Sequence, residues 1–173
     1  DSQDSVDLIH ERFELHKEET WLDRFFLLPG RSNQIATLND NDTFEITTMI
    51  DEEGPLEHWE TTAKSNVPLR RTLAKMIGAR IPKFSGPVVG SMTPEELSES
   101  LSKKTHFFQV EGKRQILKRG GVTAKISRTR IGDTNVVSIA FESAEAEPLL
   151  AELKALGLRK RDNTNFGTFL LNS

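Results

Sequence analysis

The sequence predicts an α+β domain in which about eight antiparallel strands form a barrel-like sheet with helices packed outside it. Three observations lead there. Apolar and polar residues alternate with period two in one block before residue 51 and in another between residues 105 and 143. Helix patterns with recognisable termini lie between and after those blocks. At 173 residues the chain has the length of one ordinary domain, spanning 1–173, which buries roughly 70% of the surface its unfolded form exposes.

Each element has its own signature. Val6 to Leu15 (VDLIHERFEL) reads as a strand with Val6, Leu8, His10, Arg12 and Glu14 on one face. Trp21 to Leu28, Ile35 to Asn39 and Thr43 to Ile50 follow as strands, separated by the turn-rich PGRSN and NDND, and the acidic turn DEEGP leads to Trp59. Pro68 opens a basic amphipathic helix (PLRRTLAKMIGAR), with Leu69, Leu73, Met76 and Ile77 at helical spacing. The segment IPKFSGPVVGS, rich in Gly and Pro, reads as an irregular connection. Thr93 is placed as N-cap of a helix, TPEELSESLSKK, with Pro at its first position and Glu in its first turn. Strands are then expected over Thr105 to Leu117 with a bend at Gly112, over Val122 to Ile131 after the Gly120-Gly121 turn, and over Thr134 to Ser143. A third helix, EAEPLLAELKALG, stops at Gly157, and Asn165 to Asn172 closes the sheet as a last strand.

Composition narrows the function. Lys and Arg number 23 against 26 Asp and Glu, a net charge of −3, so no global field draws the protein to nucleic acid or an anionic membrane. An anion site has to be local. The absence of cysteine excludes disulfides, thiolate nucleophiles and Cys-ligated metal, and leaves the compartment open. Apolar runs such as FFLL fall far short of the roughly 20 residues that span a bilayer, which predicts a soluble protein. Asp1 at the first position fits a processed mature chain or a trimmed one. The four histidines lack ligand spacing for zinc, and no G-x-S-x-G elbow activates a serine, so no catalytic residue is named.

The order of HERFEL, DRFFLLPGRS, NQIATL with DTFEITT, EEGPLEHW, and VVSIAFES followed by a helix resembles the CYTH, or triphosphate-tunnel, family across most of the chain. The resemblance implies an antiparallel β tunnel and, in many members, hydrolysis of triphosphorylated compounds with a divalent metal. The family's first strand carries an alternating Glu-x-Glu-x-Lys. Here the corresponding positions are His10, Arg12 and Glu14, and its usual basic residues fall near the neutral Thr37, Asn39 and Thr47.

Strand phase then proposes a lumen holding His10, Arg12, Glu14, Glu45, Thr47, Gln109, Glu111, Lys113, Thr123, Lys125, Ser127, Ser138 and Glu142. In one reading Arg12, Lys113 and Lys125 bind a phosphate while Glu14, Glu45 and Glu142 hold Mg²⁺ or Mn²⁺. In the other, these opposite charges pair with one another in a polar interior. The basic run Lys113, Arg114, Lys118, Arg119, Lys125, Arg128 and Arg130 reads as a solvated hairpin face, since no aromatic residue interleaves it. Arg70, Arg71, Lys75 and Arg80 form a similar stripe on the middle helix. The expected function is a divergent, non-catalytic or weakly active binding or accessory protein with a polar tunnel. The alternative is a Mg- or Mn-dependent triphosphatase acting on a nucleotide, thiamine or inorganic triphosphate. The partner is a phosphorylated small molecule or a protein.

Overall fold

Val6, Ile9 and Phe13 are all buried, and their spacing of three and four residues is the period of a helix, not of a strand. In the computed structural model, which describes residues 2–31, 33–78, 81, 84, 90–131, 133–159 and 163–172 with the side chains at 2, 71–73 and 76 excepted, the chain accordingly begins with helix α1 (Ser2–Arg12). The first strand, β1 (Glu14–Leu27), starts only after it. This overturns the expected strand over Val6 to Leu15, whose two mixed faces fit α1 better than any sheet.

The elements that follow are β2 (Gln34–Asn39), β3 (Thr43–Glu53), β4 (Leu56–Asn66), β5 (Leu69–Arg70), α2 (Arg71–Gly78), β6 (Ser91–Met92) and α3 (Pro94–Ser102). Then come β7 (His106–Arg119), β8 (Val122–Ile131), β9 (Thr134–Glu142), α4 (Ala146–Ala155) and α5 (Phe166–Leu171). The fold is α+β. Seven strands are hydrogen-bonded in the order β4-β3-β2-β1-β7-β8-β9, and β5 pairs with β6 separately. The pairings β1–β2, β2–β3, β3–β4, β5–β6, β7–β8 and β8–β9 are antiparallel. No helix among the described residues is long and apolar enough to cross a membrane.

Two compact units divide the chain, Asp1–Trp21 with Val110–Asn163, and Leu22–Gln109 with Thr164–Ser173. In the first, Val6 and Ile9 of α1 and Phe13 just beyond it pack with Leu117, Val122, Ala124 and Ile126 of the sheet and with Leu156 beyond α4. The rings of Phe13 and Phe141 stand 6.1 Å apart. In the second, Phe26, Ala36, Leu38, Phe44 and Ile46 supply the sheet side of a core completed by Leu69, Ala74, Ile77, Leu97 and Leu101. Each such Phe, Leu or Ile contributes roughly 1.5–3 kcal/mol on burial.

Local chemistry explains where elements start and stop. At α3, Thr93 Oγ1 accepts from the Glu96 amide and Glu96 Oε2 accepts from the Thr93 amide, a complete capping box. Gly157, at φ +70°, follows the end of α4 as expected. The expected last strand over Asn165 to Asn172 is instead α5, because Asn165 Oδ1 accepts the Thr168 amide at 2.8 Å and caps a helix. Phe166 packs on Phe25 with ring centroids 5.1 Å apart. The middle helix begins at Arg71 rather than Pro68, since Leu69 and Arg70 pair with Met92 and Ser91. Strand β4 has no clean alternation in its sequence and arises from its ladder with β3, which is bulged near Ile46 and Met49. The irregular connection expected over IPKFSGPVVGS falls, at 82, 83 and 85–89, outside the described residues, as does Arg80 of the basic stripe.

Strand β7 runs unbroken through Gly112, which permits close approach of β8. A Cβ there would stand 2.3 Å from the Arg128 carbonyl oxygen and 2.9 Å from Thr129 Cγ2. Gly112→Ala is expected to destabilise the protein by about 2–3 kcal/mol and to lower Tm by roughly 5–10 °C. Urea and thermal unfolding of the purified variant check this, and an unchanged midpoint would contradict it.

Candidate functional site

The polar site of the first unit follows from strand phase. Because Val122, Ala124 and Ile126 of β8 point into the helix-covered core, Thr123, Lys125, Ser127 and Thr129 point to the opposite face. The ladders place Arg114 across from Ser127, Ile116 across from Lys125, and Ser138 and Glu142 across from Ser127 and Thr123. Ser127 and Thr129 are nevertheless buried, so this face is shielded although it is polar.

A charged network occupies it. Arg114 lies flat over the indole of Trp21, its Cζ 4.2 Å from the ring centroid, a stacking that suits the weakly hydrated guanidinium. Its Nε donates to Ser127 Oγ at 3.3 Å and its Nη1 lies 3.6 Å from Glu19. Glu19 also accepts from Lys17 at 2.5 Å. The Lys17 hydrogen bond is the largest influence on Glu19; with the charges of Lys17, Arg114 and Lys125 it overcomes burial and holds the carboxyl below its usual range. Lys125 donates to Glu142 at 2.6 Å. The Trp21 indole N–H is buried with no acceptor among the described residues.

In the second unit, β2 and β3 bring Thr37 opposite Glu45 and β1 brings Asp23 opposite Asn39. Thr37, Asn39, Glu45 and Thr47 therefore share one sheet face, away from the core residues Ala36, Leu38, Phe44 and Ile46. There Glu45 forms an ion pair with Lys64.

The residues expected to bind an anion do not converge. Arg12 ends α1 rather than lying on a strand, so it has no phase in common with Glu14. Lys113 pairs across from Arg128, one residue out of phase with Arg114. It therefore shares the helix-covered side with Leu117 and with Gln115, which His10 meets at 3.1 Å. Lys125 lies on the opposite side. Of the three expected metal ligands, Glu142 is bonded to Lys125 and Glu45 to Lys64, while Glu14 lines a cavity with Arg12, Lys118 and Arg119. Among the described residues no group of three or more His, Asp or Glu side chains is placed to hold a metal ion. Arg114, Glu19 and Trp21 were missed. The alternation Lys17, Glu19, Trp21 in β1 was the available signal, and it was hidden by starting the strand count in α1.

Beside that cavity, Arg12 and Arg119 converge on Glu152 of α4. Arg12 donates through Nε at 3.3 Å and Nη2 at 3.0 Å, and Arg119 through Nε at 2.9 Å. Arg119 Nη1 also donates to the Arg12 carbonyl at 3.0 Å, which satisfies the end of α1. Burial pushes the Glu152 carboxyl up, but hydrogen bonds and charge from the two guanidinium groups outweigh it and hold the carboxyl below its ordinary range.

No family model matches the chain, and no curated protein does. Among solved structures it is similar to the PH1819 protein from Pyrococcus horikoshii OT3, with a TM-score of 0.54 and 15% identity over 98% of this chain and 93% of that one. At that identity the likeness concerns the fold.

Because Glu152 binds its proton less readily in the folded than in the unfolded chain, its contribution is present above the ordinary carboxylate range and is lost as pH falls through the lowered value. Glu152→Gln is expected to cost about 2 kcal/mol at pH 7. Between roughly pH 5 and 3 its stability should fall less steeply than that of the wild type. Urea midpoints across that range test the sign; parallel curves would contradict it.

Proposed function

We propose that this chain is a divergent CYTH-like domain that binds an anionic, phosphorylated ligand without hydrolysing it, and that the ligand lies on the polar sheet face of the first unit. The observation that carries the reading is Arg114. Its side chain is only 22% exposed, stacked on Trp21 and anchored by Ser127, so its orientation is fixed before any ligand arrives. Lys125 adds a second cation on the same face. The tunnel-like barrel implied by the family resemblance belongs to this proposal, and the run of antiparallel strands supports it.

The non-catalytic part of the reading is supported by how the carboxylates are used. Glu19 is held by Lys17 and Arg114, Glu142 by Lys125, and Glu45 by Lys64. Recruiting Mg²⁺ or Mn²⁺ would require breaking these pairs, whereas triphosphate hydrolysis relies on metal and cations already in position. Thr37, Asn39 and Thr47 add no charge to the second unit's polar face.

Calorimetric titration with ATP, inorganic triphosphate and thiamine triphosphate tests binding, and phosphate release with Mg²⁺ or Mn²⁺ tests turnover. Saturable binding is expected, weakened roughly 10- to 100-fold by Arg114→Ala and by Lys125→Ala, as loss of one charge-assisted contact implies. No phosphate release above background is expected. Metal-dependent turnover abolished by both substitutions would establish the triphosphatase instead, and absence of binding to all three compounds would overturn the proposal.

A further inference from the structure

We propose a second, separate site in the first unit, at the β7–β8 turn, which receives the phosphoryl group of a small hydroxylated phosphomonoester. A cavity of about 540 Å³ lies there, lined by Arg12, Glu14, Lys118, Arg119, the Gly120-Gly121 turn and Thr123. Its size is that of small-molecule sites and exceeds what a lone phosphate needs.

Three cations, Arg12, Lys118 and Arg119, line the cavity against one carboxylate, Glu14. Both guanidinium groups are fixed from behind by Glu152, and Arg119 is fixed a second time by the Arg12 carbonyl. Those bonds use Nε and Nη2 of Arg12 and Nε and Nη1 of Arg119. Arg12 Nη1 and Arg119 Nη2 are left without a protein acceptor among the described residues. Two planar donors held by a shared carboxylate are pre-organised for the bidentate recognition that phosphate oxygens favour. Lys118 makes no ion pair among the described residues and brings a mobile third charge.

The turn supports the same chemistry. Gly120 and Gly121 both have positive φ, +52° and +82°, and at neither would a Cβ meet anything within 4 Å. The glycines serve the backbone conformation and leave the main chain uncovered where a ligand would pass. Thr123 offers a hydroxyl, and Glu14 is the acceptor for a ligand hydroxyl. That last feature selects a phosphorylated polyol or sugar over inorganic phosphate. Its guanidinium groups are separate from the Arg114 face, because they come from the end of α1 and from the opposite side of β7, while Lys118 and Thr123 reach the cavity from the Arg114 side at the strand ends.

The test uses the full chain and titrates ribose 5-phosphate, glycerol 3-phosphate, inorganic phosphate, sulfate and unphosphorylated ribose by calorimetry, with circular dichroism to confirm that variants fold. Ribose 5-phosphate or glycerol 3-phosphate is expected to bind more tightly than phosphate or sulfate, and ribose not at all. Lys118→Glu, at an exposed position, should weaken binding by more than roughly tenfold. Glu14→Gln should narrow the preference for the phosphomonoester over phosphate, while Arg114→Ala should leave this binding unchanged. Failure of both phosphomonoesters to bind at about 10 mM, a concentration beyond the weakest useful affinities, would overturn the proposal. So would binding lost in Arg114→Ala but retained in Lys118→Glu, which would place the ligand on the sheet face, and so would inorganic phosphate binding as tightly as the esters.

Discussion

The register of β7 on β8 is the constraint from which the first unit follows. With Leu117 opposite Ala124 and Arg114 opposite Ser127, every odd residue of β7 near its centre faces α1 and α4, and every even one faces away. A shift of one residue would bury Arg114 under the helices and expose Leu117. Gly112 secures the ladder at its far end, where the backbone of β8 approaches too closely for any side chain. The hydrophobic core and the charged face are thus two consequences of one pairing.

That dependence explains what was legible in the chain and what was not. Capping chemistry is local, so Thr93 with Glu96 and Gly157 placed their helices directly. Most of the strands could be read because Phe44 and Ile46, or Ala124 and Ile126, alternate cleanly. Val6, Ile9 and Phe13 fit a helix, but the polar residues between them also fit a two-residue period over this short a span, and only burial against Leu117 and Val122 decides between them. The last element misled for a different reason. NFGTFLL is rich in residues common in strands, yet Asn165 caps a helix, and Gly167 lets that helix approach Ile35 to within 3.1 Å of a notional Cβ.

Phase errors cost more in function than in fold. Treating Lys113 as equivalent to Lys125 leaves the strand intact but assigns the wrong side chains to the site, because the two lie on opposite faces. Arg114, adjacent in sequence, is the cation that shares a face with Lys125. Nor did the basic run of β7 and β8 lack an aromatic partner, since Trp21 is supplied by another strand. Sequence proximity cannot show such a contact.

Charge pairing gives the remaining argument about function. An isolated surface ion pair contributes little, but in this protein pairing also determines which groups remain available to a ligand. Glu152 illustrates it: by occupying one edge of Arg12 and Arg119 it neutralises part of their charge and at the same time fixes the direction of their remaining N–H groups. Glu19 does the same for Arg114 with Trp21 beneath it. In both places a carboxylate serves as support for a cation rather than as a ligand for metal. Guanidinium N–H groups held that way keep a defined direction, which is what the proposed oxyanion sites require.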